Sequence, residues 1–206
     1  MMVDESTASR KDTMADLKIA VILGSTREGR NGAAVADWVL QKGAERAAAD
    51  YELVDLRDYP MPFFEAPASP AYVPPTNPVV QQWAAKIAEF DGYVFVTPEY
   101  NHSFSAVLKN ALDSIYHEFN NKAAAFASYG SFAGARAVEQ LRLVASELQL
   151  AHVRQQLGFS LFTDFENMST FAPGPQHDAN AETMFTQLEA WAGALKAIHA
   201  HDSVPA

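Results

Sequence analysis

Val21–Asn31 reads VILGSTREGRN, and the fold is decided by how this stretch is parsed: end of a buried strand, tight polar turn, start of a helix. The run Ile19–Leu23 is short, apolar and rich in β-branched residues, as in a parallel strand covered on both faces. Gly24 permits a sharp exit. Ser25, Thr26, Arg27, Gly29, Arg30 and Asn31 then crowd hydroxyls, guanidinium groups and backbone N–H groups ahead of a helix. A helix start carries unpaired N–H donors and about half a unit of positive charge, which is the physics of a phosphate site. Two named phosphate motifs fail here. Gly24 and Gly29 have P-loop spacing, but Arg30-Asn31 follow where Lys and Ser or Thr are needed, and Ser25-Thr26 break the dinucleotide fingerprint. What remains is a cradle of hydroxyls and arginines. It suits a terminal phosphate monoester, which Arg grips bidentately. The other reading of the turn alone is an ordinary βα connection with solvated arginines.

Outward from this turn, composition sets bounds. The chain has 206 residues, 49% hydrophobic, enough for one compact α/β domain. It has no cysteine, so disulfides, thiolate metal sites and cysteine nucleophiles are excluded. Its apolar runs are far short of a membrane span, and the N-terminus has no apolar signal core; a soluble, cytoplasmic protein is expected, with no membrane partner. Net charge is −10. From Asp164 onward six acids (Asp164, Glu166, Asp178, Glu182, Glu189, Asp202) stand against Lys196, half of that excess. An acidic body disfavours nucleic acid, and an anionic ligand needs a locally basic pocket, which Arg27 and Arg30 supply.

The rest of the chain falls into place around strand 18–23. Residues 1–16 are polar and non-periodic, a loose tail. A first helix is expected over 31–48, with Val35, Trp38 and Val39 on one face, and a second strand at 51–56. Seven of the eleven prolines fall between Pro60 and Pro78, which rules out a regular element. A connection this long points to function or an interface, since Phe63, Phe64 and Tyr72 need cover from the body, a ligand or a second subunit. A helix over 77–90 (Val80, Trp83, Ala84, Ile87 inward) leads to GYVFVT, 92–97, the most buried-looking strand. Phe104, Val107, Leu108, Ala111, Leu112, Ile115 and Phe119 then mark one long amphipathic helix, its stripe rich enough to bury a partner as well as the sheet. Strand 123–128, a helix with Ala137, Val138, Leu141, Val144, Ala145 and Leu148 inward, and a fifth strand within 151–161 follow, with a bulge expected at Gly158. A loop over 163–178 precedes a closing helix marked by Met184, Leu188, Trp191 and Leu195. Residues 201–206 read as a C-terminal tail, leaving 17–200 as the domain.

Strands alternating with helices imply a parallel sheet covered on both faces. Right-handed crossovers bring all strand carboxyl ends to one edge, where ligands bind. Three polar, glycine-bearing turns lie on that edge: Gly24–Gly32, Pro98–Ser103 and Ser128–Gly134. The second offers a rigid backbone, an aromatic face and an amide; the third offers an aromatic and bare backbone that a flat ring can approach. Phosphate at one end and a hydrogen-bonded flat ring at the other describe a mononucleotide, and FMN fits.

GSTREGRNG, TPEYNHSFSAVLKNALD and ASYGSFAGARAVEQL resemble the NADPH-dependent FMN reductases of flavodoxin-like fold, a group of quinone, azo-dye and chromate reductases; the likeness runs from about Leu17 to Ala197. The resemblance implies a three-layer sandwich with a five-stranded parallel sheet of order 2-1-3-4-5. FMN is the implied cofactor and NADPH or NADH the co-substrate. The FMN phosphate would sit on Ser25, Arg27 and the N–H groups around Asn31-Gly32. Pro98, Glu99, Tyr100 and Asn101 would line the ribityl chain and isoalloxazine, mainly through backbone, and Ser128, Tyr129 and Gly130 would border the ring's other edge. Arg30 stands where many members carry a small hydroxyl residue. It would add a phosphate contact, or point to solvent and meet the 2′-phosphate of NADPH. The resemblance also implies dimers or tetramers through the helix 104–119.

The implied reaction is hydride transfer from a nicotinamide to flavin N5, then reduction of a small acceptor such as a quinone, flavin or azo compound. The flavin carries the chemistry, so no catalytic side chain is assigned. Glu99, after the best strand, is expected to present its own turn rather than act as a base. No metal is expected; His199 and His201 with Asp202 form only a weak ligand set, and no nucleophile elbow occurs. The alternative from another class is a non-catalytic FMN electron carrier or redox-sensing module, to which an acidic surface is suited. A nucleotide-binding enzyme without flavin is a further alternative.

Overall fold

A computed structural model describes residues 17–202, with side chains as far as 198. The tail 1–16 and the histidine pair with Asp202 lie outside the residues and side chains described. The sheet is parallel throughout. β1 (Leu17–Leu23) lies between β2 (Ala49–Asp55) and β3 (Gly92–Pro98); β4 (Ala123–Gly130) follows β3. The fifth position is filled by two short pieces, β5 (Ala151–His152) and β6 (Leu157–Ser160), both paired with β4. The strand order is thus 2-1-3-4-5, the expected flavodoxin-like order.

Alternation along β1 assigns its residues to two cores. Ala20 and Ile22 join Phe95 and Phe126 on one face with Trp83, Leu108 and Leu141. These come from α2 (Pro78–Ala88), α3 (Ala106–Asp113) and α4 (Ala135–Glu147). Val21 and Leu23 join Val94 and Ala125 on the other face, with Val35, Val39, Met184 and Leu188. α1 (Gly32–Ala44) and α5 (Gln176–Asp202) supply these. The central strands β1, β3 and β4 are buried almost end to end, whereas β2 at the edge carries exposed Asp50 and Glu52.

Helix starts follow their local chemistry. Asn77 caps α2, its Oδ1 accepting the N–H groups of Val79 (2.9 Å) and Val80 (3.3 Å), with Pro78 in the first turn. Ser105 caps α3 through the Leu108 N–H.

Four expectations need correction. The helix over 104–119 ends at Asp113 and resumes only as a 3-10 turn, His117–Phe119. Six of its seven stripe residues, Phe104, Leu108, Ala111, Leu112, Ile115 and Phe119, are buried within the chain's own core, and Val107 is half-buried, so the stripe is almost wholly used. The first helix stops at Ala44, short of residue 48. The interruption in the fifth strand falls at 153–156, where Arg142 donates to the carbonyls of Val153 (2.8 Å) and Arg154 (3.1 Å), and not at Gly158. Trp191 lies in the closing helix as expected, at 46% exposure beside the buried Ala192. Within the expected loop 163–178 a small antiparallel hairpin forms, β7 (Phe165–Glu166) with β8 (Thr170–Phe171). The Pro-rich segment is irregular as expected, and Phe63 (82% exposed) and Tyr72 (85% exposed) find no cover in the chain.

Candidate functional site

Leu23, Pro98 and Gly130 end β1, β3 and β4 on one sheet edge, so the turns that leave them are neighbours. Direct bonds join them. The Gly24 N–H donates to Val96 C=O at 2.8 Å, and the Glu99 N–H to Tyr129 C=O at 2.9 Å. The buried Ser105 hydroxyl donates to Gly24 C=O while capping α3. The Arg27 guanidinium lies over the Tyr100 ring, 5.9 Å from its centroid. The three segments therefore form one cluster.

The first turn is a donor-rich cradle. Gly29 takes a left-handed φ of +64°. Asn31 precedes α1 in helical conformation and offers no side-chain cap, so the first-turn N–H groups retain their capacity for an anion. Its amide instead donates to Met168 C=O at 2.9 Å, tying the β7–β8 hairpin to the turn. Ser25 is buried, its Oγ 3.5 Å from the Tyr129 hydroxyl. A Cβ at Gly32 would come within 2.7 Å of that hydroxyl and 2.8 Å of Ser25 Oγ, so a larger residue would have to push these groups aside. Burial pushes the Tyr129 phenol up to about 12, keeping it a neutral donor, while Ser25 and the Gly32 N–H pull the other way.

Arg30 does not point to solvent; its side chain is only 7% exposed. Nη1 donates to Asp55 Oδ1 at 2.8 Å, Nη2 donates to Asp55 Oδ2, and Nη1 also donates to Ser25 C=O. This end-on grip uses three of five N–H donors. Nε is buried without a partner, and in a planar guanidinium it shares an edge with the outer Nη2 donor. Burial pushes the Asp55 carboxyl up, but hydrogen bonds from Arg30 and the Arg57 N–H outweigh it and hold it below its ordinary value.

The second turn is built on two consecutive left-handed residues, Asn101 (φ +50°) and His102 (φ +69°). Tyr100 and Ser103 exchange backbone hydrogen bonds of 2.8 and 3.0 Å across them. That is a tight turn of the primed kind, in which Asn is at home. Glu99 behaves as a brace. Its carboxylate accepts the Arg136 N–H at 3.2 Å in the first turn of α4 and pairs with the Arg136 guanidinium, leaving it no role as a base. His102 is exposed, with Nε2 2.9 Å from Arg136 Nη1.

In the third turn the Ser128 hydroxyl is spent on the Ala133 C=O at 2.8 Å, and Gly134 is left-handed at φ +73°. Ser128 thus holds the loop's shape, Tyr129 belongs to the first turn, and Gly130 leaves bare backbone beside Glu99, whose Cβ lies 3.0 Å from where a glycine Cβ would stand. Sequence reasoning missed Asp55, Arg57 and Ser105. Asp55 ends an edge strand and Arg57 follows it, with no motif of their own; a serine ahead of the Ala106 helix was the one available sign of Ser105, as a helix cap.

The cradle suits a phosphate monoester: it has an uncapped helix start, a glycine packed against Tyr129 and Ser25, and an unpartnered buried donor on Arg30. Gly130 is buried and lets β4 pass close to Glu99, whose Cβ would lie 3.0 Å from a side chain placed there. FMN matches this set of donors.

A family model described as NADPH-dependent FMN reductase matches residues 17–164. An NAD(P)H-dependent FMN reductase of Schizosaccharomyces pombe is 42% identical over 138 residues, covering 65% of this chain and 68% of that protein. An NAD(P)H:quinone oxidoreductase of Solanum tuberosum is 31% identical over 144 residues, covering 68% of this chain and 72% of the relative. Among solved structures, the flavoenzyme FerB, an NAD(P)H:(acceptor) oxidoreductase from Paracoccus denitrificans, superposes with a TM-score of 0.66 over 85% of this chain and 97% of its own, at 16% identity. That likeness speaks for the fold alone.

Proposed function

The chain belongs to the NADPH-dependent FMN reductase family, and from that premise we propose that it reduces a small diffusible acceptor, a quinone in the first place, at the edge where its three turns meet. Membership makes it an NAD(P)H-dependent oxidoreductase with FMN as cofactor. FMN, when bound, accepts a hydride from the nicotinamide and delivers two electrons to the acceptor.

The chain's own residues bind and orient. Ser25, Arg27, the free edge of Arg30 and the N–H groups of Asn31 and Gly32 hold the phosphate. Pro98, Glu99, Tyr100 and Asn101 present backbone to the ribityl chain and ring, and Ser128, Tyr129 and Gly130 complete the wall. Residues 17–200 act as one FMN-binding domain. No helix among the described residues is long and apolar enough to cross a membrane, in keeping with work on soluble substrates in the cytoplasm. A homodimer or homotetramer is part of the proposal. Its contact at α3 rests on the outward residues Ala106 and Lys109, because the inward stripe is already used.

The observation that carries this reading is the joining of three strand-end turns into one cradle with unused donors. Two measurements test it: quenching of FMN fluorescence by the purified protein, and oxidation of NADPH with and without a quinone. Quenching with quinone-stimulated oxidation is expected. Quenching without oxidation above the free-flavin rate would return the chain to the electron-carrier reading, and no quenching would remove the flavin.

A further inference from the structure

Three arginines gather at the first turn, and they differ in charge balance. Arg30 is neutralised by Asp55. Arg27 and Arg57 are exposed, and neither guanidinium forms an ion pair among the described residues. Arg57 is fixed outside the turn, its Nε donating to Thr26 C=O at 3.2 Å and its Nη2 to Arg27 C=O at 2.7 Å. Even with Glu28 and Asp58 beside them in the sequence, these two guanidinium groups keep donors that face no carboxylate.

A cleft of about 470 Å³ opens at Thr26 and Arg57 and continues along Tyr59, Met61, Phe63 and Val107. Arg57 is the one charged side chain among its lining residues; the rest of the wall is mostly apolar or aromatic. Tyr59 is held edge-on against Trp83, with ring centroids 5.2 Å apart, which anchors that side of the cleft on the core. The volume falls within the range of small-molecule sites, about 300–1,000 Å³. An apolar slot with an aromatic side and a guanidinium at its mouth, next to the cofactor's phosphate turn, has the chemistry of a purine nucleotide site.

We propose that this cleft takes the 2′-phosphoadenosine end of NADPH, with Arg57 binding the 2′-phosphate and the Tyr59–Met61–Phe63 wall taking the adenine. The proposal rests on the reading that the protein oxidises a reduced nicotinamide on FMN. Arg57 keeps its outer donors for a dianion, which it can grip bidentately. NADH offers only a neutral hydroxyl at that position, so Arg57 becomes the residue that separates the two nicotinamides.

The test uses the FMN-loaded wild type and Arg57→Ala. Calorimetric titration with 2′,5′-ADP and with 5′-AMP reads the cleft directly, and kcat/KM for NADPH and NADH reads the reaction. The wild type should bind 2′,5′-ADP more tightly than 5′-AMP. In Arg57→Ala that preference and the NADPH-to-NADH ratio of kcat/KM should both fall by about 10–100-fold, as for loss of a hydrogen bond to a charged group. Equal binding of the two probes by the wild type, as when a second copy covers the cleft, overturns the proposal. So does an unchanged NADPH-to-NADH ratio in the variant, or a variant whose only defect is weaker FMN quenching. A wild type that oxidises neither nicotinamide strikes the underlying reading instead, and the titrations still decide the cleft.

Discussion

Asp55→Asn isolates the Arg30–Asp55 pair. The guanidinium stays charged and 93% covered, given its 7% exposure, but loses the anion that faces two of its N–H donors. Removing one partner of a buried pair costs about 3–5 kcal/mol. Asp55 is 21% exposed and Asn still accepts one hydrogen bond, so we set the cost at about 2–3 kcal/mol. In urea the midpoint should fall by roughly 1 M, for a slope on the order of 2 kcal/mol/M. The folded-state pKa of Asp55 lies below its unfolded value. Its stabilisation is therefore complete above the unfolded value, near pH 4, and is lost as pH falls through the folded value. The gap between wild type and variant should be full at pH 7 and close in acid. Urea unfolding of the apo-protein across this range is the assay. A midpoint unchanged at pH 7, or a gap that persists in acid, refutes the reasoning. The double variant Arg30→Met with Asp55→Leu, which leaves no lone charge, should recover most of the loss.

Arg27→Ala should weaken FMN binding by about 1.5–3 kcal/mol with little effect on stability; fluorescence quenching with native affinity would remove Arg27 from the phosphate site. Gly32→Ala should cost about 1–3 kcal/mol of stability and abolish quenching, since its Cβ would collide with the Tyr129 hydroxyl; a variant that binds FMN normally would show the cradle to be loose. Burial lowers Lys122 to about 8, against weaker raising from Asp91 and Glu118. Between that value and its unfolded pKa of about 10.4 the unfolded chain binds more protons, so stability should rise with pH there. In Lys122→Met thermal melts should show that rise flattened; an unaltered slope would mean that Lys122 stays charged.

The features legible in the sequence were local ones. The buried strands β1 and β3 announced themselves as β-branched runs, Asn77-Pro78 announced a helix start, and the three strand-end turns carried their glycines and polar side chains openly. The break after Asp113 was hidden because Ile115 and Phe119 keep the apolar spacing of a helix after the helix has ended. No glycine or proline marks the place; the Ser114 hydroxyl bonds back to Asn110 C=O at 2.7 Å, and Tyr116 leaves helical geometry at φ −139°. The early end of α1 was hidden for another reason. Ala47 and Ala48 favour helix, but Arg46 is drawn to Glu182 and Glu189 on α5, more than 130 residues away. The pairing that keeps Arg30 from solvent has the same origin, since Asp55 lies 25 positions along the chain and nothing in either segment names the other.

One hydroxyl, that of Ser105, is shared by the floor beneath the first turn and the head of α3. The two sides of the cradle are thereby riveted together and cannot part independently. A third tie comes from the hairpin, where the Asn31 amide donates to Met168 C=O and Phe171 packs edge-on against Trp38 of α1. Loss of that one hydroxyl, as in Ser105→Ala, would therefore loosen the first turn and the head of α3 together.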